Sequence, residues 1–93
     1  MKTLFTIPKN SKVKDTSCID TSRIRIEFSN GYELSVIRGK YSYGGPEGLF
    51  EIAPIGREND LNGDLLNFEC DDVLGWLTID QVNEYITKMN NLK

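Results

Sequence analysis

The residues that most constrain this chain are two runs of strict alternation on either side of a turn. Arg23-Ile24-Arg25-Ile26-Glu27-Phe28 and Tyr32-Glu33-Leu34-Ser35-Val36 flank Ser29-Asn30-Gly31. A period of two marks a strand with one buried face, and Asn-Gly between two such runs signals a hairpin. Loop length decides which side chains share a face. A two-residue Asn30-Gly31 loop would set Phe28 opposite Glu33 and Ile26 opposite Ser35, mixing both faces. A three-residue loop pairs Phe28 with Tyr32, Ile26 with Leu34 and Ile24 with Val36, so that all six line one face. A slip of one residue turns every side chain over, and burial therefore selects the second register. Gly31 then takes the left-handed position of a bulge, where a Cβ is costly. Glu27 and Glu33 meet on the outer face, with Arg25 diagonally placed to relieve them.

A cover for that apolar face is legible near the C-terminus. Ile79, Val82, Tyr85, Ile86, Met89 and Leu92 fall on one helical stripe, with Asp80, Gln81, Asn83, Glu84, Thr87, Lys88 and Asn91 outside it. Thr78 and Gln81 have the spacing of a capping box, and Leu77 and Val82 that of a hydrophobic staple. The spacing predicts a helix over residues 79–91. Further strands are predicted at Leu49–Ala53, ended by Pro54 and Gly56, at Leu65–Cys70, and at the edge over Thr3–Ile7. Lys9 to Ser22 reads as a polar excursion. Asp72 is expected to cap a short helical turn over Val73 to Trp76, with Trp76 and Leu77 in the core. The fold class is α+β: a four- or five-stranded, mostly antiparallel sheet with an amphipathic C-terminal helix on one face. Residues 1–93 form a single domain, divided into the N-terminal strand and excursion (1–22), the sheet (23–70), and the short turn with the helix (72–92).

Composition narrows the chemistry. Histidine is absent and the two cysteines, Cys18 and Cys70, form no CxxC pair. Cys/His zinc sites and Ser–His or Cys–His nucleophile pairs are thereby struck out. No apolar run reaches the length of a membrane span, and the apolar stretch after Met1 is too short for a signal peptide, so a cytoplasmic location is expected, with both thiols idle more readily than paired. The net charge of −3 hides a division: residues 1–40 carry eight bases against four acids, residues 41–93 three against ten. That balance argues against a nucleic-acid site, which needs a basic domain, and leaves an acidic surface for a partner.

Three constellations bear on chemistry. The loop from Gly39 to Gly48 holds Tyr41, Tyr43, Gly44, Gly45 and Glu47 but lacks the GK[ST] ending of a phosphate loop. It is either a wide hairpin connection with its tyrosines laid on the sheet, or an exposed recognition tip. Glu58 to Glu69 approaches a calcium loop, with oxygens at its first, third and fifth positions, Gly63 sixth and Glu69 twelfth. The long first ligand, Leu66 at the ninth position, and Pro54 and Gly56 in place of an incoming helix favour a simple turn at Asn62-Gly63. Asp71 and Asp72 precede the short turn and serve it as a cap rather than as an acid–base pair. No catalytic residue, metal site or cofactor is assigned.

Two stretches carry a resemblance. They are Ser29 to Gly39, continuing through Tyr43-Gly44-Gly45 and Gly48 to Ala53, and Asp72-Val73-Leu74-Gly75-Trp76-Leu77-Thr78 with Val82 behind it. In these strings and their order the chain resembles small accessory proteins of tailed phages, most of them without assigned function. The resemblance implies a compact protein acting by stoichiometric binding in the host cytoplasm, not an enzyme. The first expectation is a phage or mobile-element protein that inhibits a host protein, a defence or nucleic-acid-binding factor. Its contact surface would combine Tyr41, Tyr43, Gly44, Gly45 and Glu47 with the acids Glu58, Asp60, Asp64, Asp71 and Asp72. The alternative is a homo-oligomeric sponge for an anionic nucleotide signal, held by Arg23, Arg25, Arg38, Lys40, Tyr41 and Tyr43. A structural phage component without a ligand is the third.

Overall fold

The structure, a computed structural model, describes residues 1–69 and 71–93. Five strands form one antiparallel sheet in sequence order: β1 (Lys12–Asp15), β2 (Thr21–Glu27), β3 (Glu33–Gly39), β4 (Phe50–Ile55) and β5 (Leu74–Leu77). The α-helix α1 (Ile79–Asn90) lies over one face. The architecture is α+β.

The β2–β3 hairpin adopts the register that burial demands. Ile26 pairs with Leu34 and Ile24 with Val36, and the Phe28 N–H donates to the Tyr32 carbonyl at 2.9 Å. Ile24, Ile26, Phe28, Leu34 and Val36 are buried, with Tyr32 packed at the margin. Gly31 sits at φ 91°. Glu27 does face Glu33, and Arg25 Nε stands 3.0 Å from the Glu33 carboxylate. That contact is an ion pair whose angle falls short of a hydrogen bond.

Helix α1 begins at the capping box, Thr78 Oγ1 accepting the Gln81 N–H and the Gln81 side chain accepting the Thr78 N–H. Val82, Ile86 and Met89 are fully enclosed against the sheet, each such side chain contributing about 1.5–3 kcal/mol relative to exposure. Ile79, at the first turn, is left 37% exposed. The other end is closed from a distance. Asn30 Nδ2, in the hairpin turn, donates to the carbonyls of Met89 at 2.9 Å and Leu92 at 3.0 Å, satisfying acceptors that a helix end leaves open.

Elsewhere the structure corrects the local reading. Thr3–Ile7 is not a strand. Lys2–Leu4 form a 3-10 turn, and Phe5 drops into the core edge-on to Phe50, with ring centroids 5.1 Å apart. The edge position belongs to β1, inside the polar excursion, where lysines on a solvent-facing edge hide the period. Pro54 does not end its strand. Opposite Leu34 it lies in a pair without mutual hydrogen bonds, so its missing N–H is not needed by β3, and its carbonyl accepts the Asn62 N–H at 3.0 Å. No strand runs over the described residues of the expected Leu65–Cys70 segment: Leu65 and Leu66 close a 3-10 helix over Gly63–Leu66, capped by the Asn62 side chain and ended by Asn67 at φ 60°. Cys70, the end of that expected strand, lies outside the described residues, and its pairing with it. Cys18 is an exposed thiol. Finally, Val73 to Trp76 is no helical turn: residues 74–77 extend as β5, using the free edge of β4. Asp72 is a cap for another element, accepting the Gly63 N–H at 2.8 Å.

Candidate functional site

Antiparallel register brings Thr21 of β2, Gly39 of β3, Phe50 of β4 and Leu77 of β5 to one end of the sheet. Three connections therefore meet there: the β1–β2 turn around Ile19, the β3–β4 loop from Lys40 to Leu49, and the junction of β5 with α1. They are tied by backbone bonds. The Lys40 N–H donates to the Asp20 carbonyl at 3.1 Å and the Trp76 N–H to the Tyr43 carbonyl at 3.1 Å. The Tyr43 N–H reaches the Glu51 carboxylate at 3.0 Å. Glycines make the approach feasible. A Cβ on Gly44 would stand 2.9 Å from the Trp76 Cα, and one on Gly75 would collide with the Tyr43 side chain.

Among the described residues, this end carries most of the exposed large apolar side chains. Ile19 is 98% exposed, Tyr41 84%, Tyr43 64% and Trp76 60%, with Ile79 beside them. Trp76 was expected in the core. Its register explains its position: between Phe50 and Ile52, β5 carries an irregularity that sets Leu77 opposite Phe50 and Leu74 opposite Ile52, one residue more on β5 than on β4. Trp76 sits in that bulge at φ 61°, a conformation that costs a bulky residue about 1–3 kcal/mol. Its indole is turned outward rather than buried.

The remaining predicted residues are not gathered at this end. Glu58 and Asp60 occupy the turn after Ile55, at the far end of β4, and Asp64, Asp71 and Asp72 lie in the β4–β5 connection. Six residues of β4 separate the two ends, about 17 Å of strand. The tyrosine loop and the acids thus form two surfaces. Glu58 to Glu69 leaves β4 by a tight turn, Leu61 bridging back to Ile55, and among the described residues no group of Cys, Asp or Glu is arranged to hold a metal ion.

The basic residues are also divided. Arg23 and Arg25 line a shallow groove of about 550 Å³ on the open face of the sheet, over Ser35, Ile37, Ala53 and Ile55. Both are already engaged: Arg23 Nε donates to Thr16 Oγ1 at 2.8 Å, and Arg25 Nη2 to Asn59 Oδ1 at 2.6 Å. Arg38 belongs to the helix-covered face, its guanidinium 4.8 Å from the Phe50 ring centroid, and Lys40 stands 5.6 Å from the Tyr41 ring. These side chains do not converge on one phosphate-sized site.

No protein-family model, curated protein or solved structure matches this chain. Of the side chains exposed at this end, sequence reasoning singles out Tyr41 and Tyr43 and does not single out Ile19, Trp76 or Ile79. The signal for Trp76 was the adjacent Gly75 and its match to Gly44, two residues without Cβ atoms placed to let two backbones touch. No local pattern pointed to Ile19.

Proposed function

We propose that this chain is a non-enzymatic binding protein of a phage or mobile element, which acts by stoichiometric contact with a host protein, a defence factor. The contact is made by the aromatic end of the sheet, with Tyr43 and Trp76 as anchors and Ile19, Tyr41 and Ile79 around them. One observation carries this reading: apolar side chains from three connections distant in sequence are exposed together. Clustered exposed apolar surface on a small domain marks an interaction site, and Trp and Tyr supply the largest contact area at least entropy cost. The strained backbone of Trp76 adds to it, since such strain persists where function retains it. The short-string resemblance to phage accessory proteins supplies the biological setting. The acids around Glu58 to Asp72 lie outside this contact.

Trp76 is the sole tryptophan and therefore reports directly. With the host partner isolated by co-purification, titration should shift its emission to the blue and saturate at a fixed stoichiometry. Tyr43→Ala and Trp76→Ala should each weaken binding at least about tenfold, as anchor residues do. A partner that binds both variants as well as the parent, or leaves the emission unchanged, overturns the assignment.

A further inference from the structure

The two edges of the sheet differ. The β5 edge is bulged, and the Tyr43 carbonyl takes the Trp76 N–H. The β1 edge is open. The Thr16 N–H donates to the Arg23 carbonyl at 2.9 Å, and alternation along an antiparallel pair then directs the backbone groups of Lys12 and Lys14 toward β2. Those of Val13 and Asp15 point outward, away from the sheet. Beside them runs a groove of about 430 Å³ lined by Lys2, Ile7, Pro8, Lys9, Ser11 and Val13. The Ser11 hydroxyl is buried there without a hydrogen-bond partner among the described residues. Four lysines and no acid precede Asp15 in a chain whose net charge is −3, and among the described residues only Lys14 of these lysines has an ion-pair partner, Glu27 at 3.9 Å.

From this we infer that β1 accepts an extended acidic peptide segment of another protein as an added strand. Main-chain bonds to Val13 and Asp15 would hold it, as in other strand-addition complexes. Register sets its side-chain pattern. Lys12 and Lys14 share the open face with Glu27 and Arg25, whereas Val13 shares the helix-covered face with Ile26. An added strand therefore needs Asp or Glu on the lysine side and apolar side chains on the side of Val13, Ile7 and Pro8. Asp15 stands on the Val13 side, its carboxylate taking the Ser17 N–H at 2.9 Å, and it disfavours acids there. Lysines on an edge repel unselected strands, so here the same charges select among partners. This surface is separate from the aromatic end and does not depend on it.

The test uses the full chain and a labelled peptide of about seven residues alternating Glu and Val, long enough to span the edge. The peptide should bind saturably, slow hydrogen exchange at the Val13 and Asp15 amides, and lose about tenfold in affinity to the Lys12→Glu, Lys14→Glu double variant. Peptides N-methylated at alternate residues, in the two phases, should differ, with only one phase still binding. Trp76→Ala should bind the peptide like the parent, which separates this result from the fate of the proposed function. Equal binding of a Lys/Val peptide, equal binding of both methylated phases, protection confined to other amides, or a second copy already paired along β1 would each overturn the inference.

Discussion

Replacing Trp76 by alanine and, separately, by glycine should invert the usual order of the two substitutions. Both remove the indole and its contacts, which cancel in the comparison. At an ordinary position glycine is the less stable by about 0.5–1 kcal/mol, because its unfolded chain has more freedom to lose. At φ 61° a Cβ costs about 1–2 kcal/mol, a penalty that falls on alanine alone. The difference favours Trp76→Gly over Trp76→Ala by about 0.7 kcal/mol, taking the middle of each range. For a chain of this size that corresponds to about 3–5 °C in Tm. Thermal unfolding followed by far-ultraviolet circular dichroism reads it without need of the lost fluorophore. If the alanine variant melts at the same temperature as the glycine variant or above it, the strained bulge is wrong, and with it one of the two supports for Trp76 as an anchor.

Other outcomes follow from single contacts. Thr78→Ala removes the side-chain acceptor of the capping box and should lower stability by about 1 kcal/mol in urea unfolding, with the slope unchanged. Asp72→Ala strands the N–H of Gly63, a buried residue, and should cost about 1–3 kcal/mol, whereas a solvated Asp72 would make it neutral. The Ser17 hydroxyl, and then its backbone N–H, hold the Asp15 carboxyl below its ordinary value of 3.8. A depressed folded pKa means that its stabilising contribution is fully present above 3.8 and is lost as pH falls through the folded value. Carboxyl chemical shifts of Asp15 should thus titrate below 3.8, and the stability of Asp15→Asn should approach that of the parent at the acid end.

Legibility in the sequence followed the range of the interactions. The hairpin register and the capped helix were readable because the information is local: a period of two, a period of 3.6, a turn and a cap within a few residues. The elements that were misread are those where a distant residue decides. Leu74 to Leu77 has no alternating pattern, and it is extended because β4 offers an unpaired edge between Phe50 and Ile52. Phe5 looks like part of a strand until Phe50 is placed beside it. Asp72 was identified as a cap, but the N–H that it takes belongs to Gly63, which only the tertiary fold brings near.

The same distinction explains why the tyrosines of the candidate site were found and the site was not. Exposure is settled by which connection lands next to which, and antiparallel order sends alternate connections to opposite ends. Tyr41 and Tyr43 lie between β3 and β4, so their neighbours come from the β1–β2 turn and from the end of β5. Glu58 and Asp60 lie in the turn after Ile55, at the other end of β4, and Asp64, Asp71 and Asp72 lie in the connection that returns to β5. Glu58 and Asp60 are then held away from the tyrosine loop by the six residues of β4, about 17 Å of strand. A partner that needed both surfaces would have to reach along the sheet, whereas one that needs the aromatic end meets side chains that three connections bring to the same end.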